Sequence, residues 1–217
     1  VCAMVCPMGL LQVEPGRTFP KAIPGADQLC LQCGHCVSAC PHAALSLATL
    51  SVKDCVPLNP ELNVRLDQVA QLLKSRRSIR LYKREPLERR EIEALIEIAR
   101  YAPTGKNTQP LSWMAVHNPE VVHQWAGLVA DWMKDMIQKK HPMASWLQMD
   151  ALVAAWADGA DPILRRAPHL VLAHAPKANP MAPPAAAIAL ATFEVAAAAA
   201  GLGTCWAGFF HIASGMW

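Results

Sequence analysis

Six of the eight cysteines in this 217-residue chain fall before residue 41, and their spacing limits the possible folds more than any other feature. They are Cys2, Cys6, Cys30, Cys33, Cys36 and Cys40. The run from Cys30 to Pro41 reads C-x2-C-x2-C-x3-C-P, and Cys2 to Pro7 reads C-x3-C-P, the back half of the same pattern. The surrounding residues 1–49 are rich in turns and too few to bury a large core, so this piece needs a staple. No charged-then-apolar export segment precedes it, which favours metal ligation over a disulfide framework and a cytoplasmic setting. The chain begins at Val1 rather than Met, and the expectation is a fragment of a longer protein, truncated at both ends.

The longer run has the spacing of bacterial iron–sulfur proteins of the ferredoxin type. Three closely spaced thiolates wrap three corners of one iron–sulfide cube, Gly34 permits the tight turn between them, and Pro41 redirects the chain. In two-cluster proteins the fourth cysteine of the run ligates the other cluster. By that rule Cys6 joins Cys30, Cys33 and Cys36 in one [4Fe-4S] cluster supplied entirely by this chain. Cys2 and Cys40 then hold part of a second cluster, whose other ligands lie upstream of Val1. The alternative is structural zinc, because C-x2-C is also a zinc spacing. This run places four ligands poorly around one tetrahedron. His35, inside the loop, is expected at the surface.

Beyond this piece the pattern changes. Residues 50–62 hold two prolines and read as a linker, so the expected division is 1–49, a 50–62 linker and 63–217. Leu66, Val69, Leu72 and Leu73 share one face of a short helix, and Ile92, Leu95, Ile96 and Ala99 mark a second, amphipathic one. A strand is expected near residues 111–117, a helix from about 120 to 140, a strand over 169–175, an alanine-rich helix over 185–201, and a last strand over about 204–210. The mixture implies an α+β class. The alanine-rich run carries Glu194 and little Leu or Ile, which favours a buried helix over a membrane span. Hydrophobic residues make up 53% of the chain, which excludes a disordered one. The net charge of +3 is too small to imply nucleic acid, although the basic stretch from Arg76 to Arg90 leaves a nucleic-acid-binding module as a third reading.

In an extended segment, Arg76, Ser78 and Arg80 fall on one side, and guanidinium forks suit a phosphate dianion. A solvated basic surface explains the same residues equally well. The loop Ala102-Pro103-Thr104-Gly105-Lys106-Asn107-Thr108-Gln109-Pro110 offers backbone donors and amides for a polar ring. Gly201 and Gly203 permit close approach of another backbone. Cys205, with no evident activating base nearby, reads as a buried structural thiol. The tryptophans, among them Trp132, Trp146 and Trp206, read as core or interface. No paired carboxylates, Ser/His/Asp set or nucleotide-binding glycine fingerprint points to hydrolysis or a Rossmann site, and no catalytic residue is singled out.

Over residues 64–210 the chain resembles the nitroreductase family of flavin enzymes, specifically members with an N-terminal ferredoxin domain. The resemblance is carried by RRSIR at 76–80, APTGKNTQP at 102–110, the segment from Asp161 to His169, and FEVAAAAAGLGTCWAG at 193–208. It implies a small iron–sulfur domain followed by an α/β sandwich, with helices flanking a mainly antiparallel sheet. It also implies that Arg76, Ser78 and Arg80, with Arg77 a weaker candidate, bind the phosphate, ribityl or ring oxygens of FMN. Pro103, Thr104 and Asn107 would contact the ring from the partner subunit of a homodimer with FMN at its interface. Thr204, Cys205, Trp206, Ala207 and Gly208 would flank the reactive edge, and the alanine-rich helix would lie at the dimer core. The function implied is an oxidoreductase passing electrons from clusters or NAD(P)H through FMN to a small acceptor such as a nitroaromatic or quinone. The alternative is an electron-transfer relay with no substrate of its own. An external electron donor is expected; nucleic acid and membrane are not.

Overall fold

The computed structural model describes residues 2–16 and 19–216. It divides the chain into two compact units, 1–65 with 103–109, and 66–102 with 110–217.

The first unit is built from very short elements: helix α1 (Cys2–Val5), strands β1 (Leu11–Gln12) and β2 (Lys21–Ala22), and helices α2 (Ala26–Leu29) and α3 (His35–Ser38). The strands pair antiparallel, Leu11 opposite Ala22. Gly25 and Gly34, at φ 74° and 72°, start α2 and α3 in the left-handed conformation that glycine tolerates best. A Cβ on Gly34 would also stand 2.6 Å from the Leu50 side chain. Apart from the buried Gly34, only Leu10 and Val37 are fully buried among the described residues 2–65. So little apolar burial stabilises weakly, in keeping with a unit that needs a staple. Where a linker was expected, the chain makes two capped 3₁₀ turns. Ser51 and Asp54 form a reciprocal capping box at Val52–Asp54, and the Asn59 side chain accepts from Glu61 N–H at Pro60–Leu62.

The second unit contains helices α4 (Leu66–Ser75) and α5 (Arg89–Ala99), strand β3 (Ser112–Val116), helices α6 (Pro119–Gln138), α7 (Pro142–Trp146) and α8 (Met149–Ala157), strand β4 (Leu170–His174), and helices α9 (Ala182–Ala199) and α10 (Gly208–Met216). β3 and β4 pair antiparallel, Ser112 opposite His174 and Val116 opposite Leu170. Alternation along the strands sends Val116, Leu170 and Leu172 to one face, and Trp113 and Val171 to the other. The first face meets α6, which starts at an Asn118 cap followed by Pro119 and buries Val122, Ala126, Val129, Met133 and Met136 at helical spacing. The second face meets α5 and α9, where Leu95, Ala99, Phe193 and Ala197 form a smaller core. Helices therefore cover both faces of an antiparallel sheet, an α+β arrangement.

The expected last strand is corrected, and the readings of the tryptophans and of the alanine-rich helix are narrowed. Residues 204–210 form no strand: 202–207 run without regular structure and α10 follows. The apolar residues there recur as Phe209/Ile212 and Phe210/Ala213, a helical period, and Phe210 stacks on Trp125 at 5.7 Å. Between α6 and β4 the chain adds α7 and α8, which no pattern in the sequence announced. Trp132 is core, but Trp146 and Trp206 are 76% and 52% exposed, so neither is a core residue of this chain. Helix α9 is long and apolar enough to cross a membrane by length and composition alone. It buries Ala182, Ala185, Ala189, Phe193 and Ala197 along one stripe and exposes Ala187, Ile188 and Ala191, so it is buried on one side only.

Candidate functional site

In the first unit, Cys6, Cys30, Cys33 and Cys36 line one cavity together with Met8, Leu10, Leu31 and Leu47. The turn at Gly34 and the short helix α3 supply Cys33 and Cys36, Cys30 follows α2, and the turn after α1 supplies Cys6. Leu10 N–H donates to Cys6 Sγ at 3.4 Å. Burial pushes the Cys36 thiol above its ordinary value, the charges of Cys30 and Cys33 acting in the same direction. Such a thiol is ionised by ligating a cation, not by its surroundings. Among the described residues, no three His, Cys, Asp or Glu side chains converge on one point as a single metal ion requires. Thiols set around an apolar-walled cavity suit an inorganic cluster, each on a different iron. Cys2 and Cys40 lie outside that lining. Cys40 Sγ accepts from Ala44 N–H at 3.4 Å, and backbone N–H groups of Ala44 and His42 hold its thiol below the ordinary value. His35 is exposed.

The loop 103–109 belongs to this unit. Asn107 Nδ2 donates to Leu31 O at 3.2 Å and Gln32 O at 3.1 Å, the two carbonyls between Cys30 and Cys33. Gln109 Nε2 donates to Asn107 Oδ1, and Gln109 N–H to Thr104 Oγ1. Lys106, Asn107 and Gln109 all have positive φ, a cost these hydrogen bonds offset. Asn107 thus braces the cysteine turn, a role its spacing in the sequence does not reveal. Pro103, Thr104 and Asn107 sit with the cysteines, and the other expected ring contacts fall in the second unit.

There, Arg76, Arg77, Ser78 and Arg80 line an open, polar cavity of about 260 Å³. The segment after α4 runs without helix or strand, and Ile79 N–H donates to Thr204 O at 2.8 Å. A Cβ on Gly203 would stand 2.8 Å from the Ile79 side chain, so this glycine permits the approach. The RRSIR segment and the 204–208 segment, far apart in sequence, are therefore neighbours. Arg76 Nη1 pairs with Glu194 Oε1 at 2.9 Å, and Trp206 Nε1 donates to Glu194 Oε2 at 3.3 Å. Tyr82 O–H donates to Ile79 O at 2.7 Å. Burial, and next the charge of Cys205, push the Tyr82 phenol up to about 12. Cys205 is half-buried, with its S–H on Trp206 O at 3.6 Å, outside any strand. The cavity offers cations and a hydroxyl, the donor set a phosphate ester requires.

The model of the nitroreductase family matches residues 73–216, well over half of the chain. The chain belongs to the nitroreductase family. A 4Fe-4S binding domain matches residues 27–46, which contain the cysteine run. Among curated proteins, an iodotyrosine deiodinase from Nematostella vectensis is 24% identical over 121 residues, 55% of this chain and 44% of that protein. Iodotyrosine deiodinase 1 from Rattus norvegicus is 34% identical over 64 residues, 30% of this chain and 22% of that protein. The chain thus spans less than half the length of these relatives. A nitroreductase with bound FMN from Desulfitobacterium hafniense superposes with a TM-score of 0.55 at 21% identity, covering 68% of this chain and 74% of its own. One from Bacteroides fragilis, also with FMN, gives 0.51 at 22% identity, covering 65% and 70%. These likenesses establish the nitroreductase fold.

Proposed function

We propose that this nitroreductase-family chain is part of an FMN-dependent oxidoreductase that draws electrons through iron–sulfur clusters and delivers them to a small, electron-poor acceptor such as a nitroaromatic or quinone. The observation that carries the reading is the pair of donor sets in one chain: four thiols lining one cavity, and Arg76, Arg77, Ser78 and Arg80 lining another. When bound, the clusters supply one-electron steps and FMN a two-electron reduction. Residues 1–49 are the iron–sulfur domain of this reading, 50–62 the linker and 63–217 the flavin domain. Cys6, Cys30, Cys33 and Cys36 hold one [4Fe-4S] cluster. Cys2 and Cys40 contribute to a second that needs cysteines from outside this chain.

The residues of the chain divide the work. The guanidinium groups of Arg76 and Arg80 and the Ser78 hydroxyl would hold the phosphate and the ribityl or ring oxygens of FMN, with Arg77 a further cation in the same segment. The irregular backbone from Thr204 to Ala207, with Gly208 at the start of α10, presents N–H groups without strand partners, available to a ring edge. Cys205 and Trp206 stand in that segment. Pro103, Thr104 and Asn107 contact the ring from the partner subunit of a homodimer, and the exposed side of α9 is where the second copy sits. The working compartment is the reducing cytoplasm, where thiols stay free to ligate iron.

The test is anaerobic turnover. Protein carrying iron, sulfide and FMN is reduced by a low-potential ferredoxin or dithionite and mixed with a nitroaromatic or a quinone. The expected result is flavin reoxidation with stoichiometric acceptor reduction. A flavin that reduces but hands electrons to no acceptor favours the relay. Protein that binds no flavin removes the oxidoreductase reading altogether.

A further inference from the structure

Glu194 is the one charge in the alanine-rich helix α9, and its side chain is only 13% exposed. A carboxylate so enclosed is costly unless both oxygens are partnered. Both are: Oε1 takes Arg76 Nη1 at 2.9 Å, and Oε2 takes Trp206 Nε1 at 3.3 Å. The two partners come from the two segments assigned to the flavin, RRSIR and 204–208.

We infer that Glu194 is the positioning residue of the Arg76–Arg80 cavity, holding the Arg76 guanidinium by one nitrogen so that the rest of its fork faces a phosphate dianion. This rests on reading that cavity as the flavin phosphate site. A guanidinium carries five N–H donors in a fixed plane, so fixing one nitrogen fixes the direction of the others. Arg76 is 30% exposed, and without Glu194 nothing among the hydrogen bonds described keeps its head out of bulk water. Charge points the same way. Three guanidinium charges around the cavity less one carboxylate leave two, the complement of a phosphate monoester dianion. The Trp206 bond fixes the carboxylate from its other side, so the same group ties the 204–208 backbone to the phosphate end.

FMN and riboflavin differ only in the phosphate, so their affinity ratio reads this role and is blind to general loosening of the fold. Flavin-free protein is titrated with each, following flavin fluorescence. The expected result for Glu194→Ala is at least a tenfold loss of FMN affinity with less than a threefold change for riboflavin. Glu194→Gln keeps the volume and one acceptor, and is expected to lower the FMN-to-riboflavin ratio at least threefold; it decides the matter if the alanine variant does not fold. A wild type that prefers FMN, with an unchanged ratio in the variants, overturns the role of Glu194 alone. A wild type that binds the two flavins equally overturns the phosphate-site reading and this inference with it.

Discussion

At the scale of single residues, two polar side chains in the segment from Asp161 to His169 do structural work that their sequence positions do not announce. The Asp161 side chain is 1% exposed, and its carboxylate accepts N–H groups of Ile163 and Leu164 at Oδ1 and of Arg166 at Oδ2. It thereby closes a turn in which Arg165 and Arg166 both have positive φ. Asp161→Ala leaves these donors without an acceptor and is expected to cost about 3 kcal/mol, read as a shift in a urea or thermal unfolding midpoint. His169 Nε2 accepts from Leu87 N–H at 2.7 Å, and Nδ1 is buried with no hydrogen-bond partner. Burial, and next the neighbouring His117, hold its pKa below the ordinary 6.5. The unfolded chain therefore takes up the proton first as pH falls. The neutral imidazole contributes stability that is full above the unfolded value of 6.5 and is lost as pH falls through the lower folded value. Melting temperature is expected to drop from about pH 7 to about pH 5.5, and to drop less in His169→Gln, whose amide oxygen keeps the acceptor. A pH-independent difference between the two proteins would count against this assignment.

At the scale of elements, what the sequence makes legible is what local periodicity encodes. Ile92, Leu95 and Ala99 announce α5, and the apolar run 170–174 announces β4, because each buries one face against a neighbour. The 204–210 segment misleads because Thr204 to Phe210 reads as apolar and β-prone; its helical period emerges only when Ile212 and Ala213 are included. Glu194 gives a weak signal, one charge amid alanines, and Arg76 as its partner lies 118 residues away. The Asn107 brace on the Cys30–Cys33 turn is likewise long-range, at 76 and 75 residues. No local pattern reports such a pairing. Helix α9 leaves Ala187, Ile188 and Ala191 exposed opposite its buried stripe. Small side chains let a second helix approach closely, and the proposed homodimer covers this stripe. Ala191→Arg is expected to convert a dimer into a monomer in light scattering at micromolar concentration, with circular dichroism unchanged. A monomeric wild type would contradict the interface.

At the scale of the whole molecule, the chain carries a small unit that contributes little apolar burial and a unit of the nitroreductase fold. The cysteine spacing was legible as a ligand set, and its convergence on one cavity is what folding adds. The measurement that bears most directly on the central claim is an anaerobic iron and acid-labile sulfide assay with EPR of the reduced protein. It is made on wild type and on the Cys6→Ser and Cys2→Ser variants. Cys6→Ser is expected to lose or strongly alter the signal of the cluster held with Cys30, Cys33 and Cys36, while Cys2→Ser retains it. Zinc without labile sulfide in the wild type, or a Cys6→Ser protein with an undiminished and unaltered signal, would contradict the account.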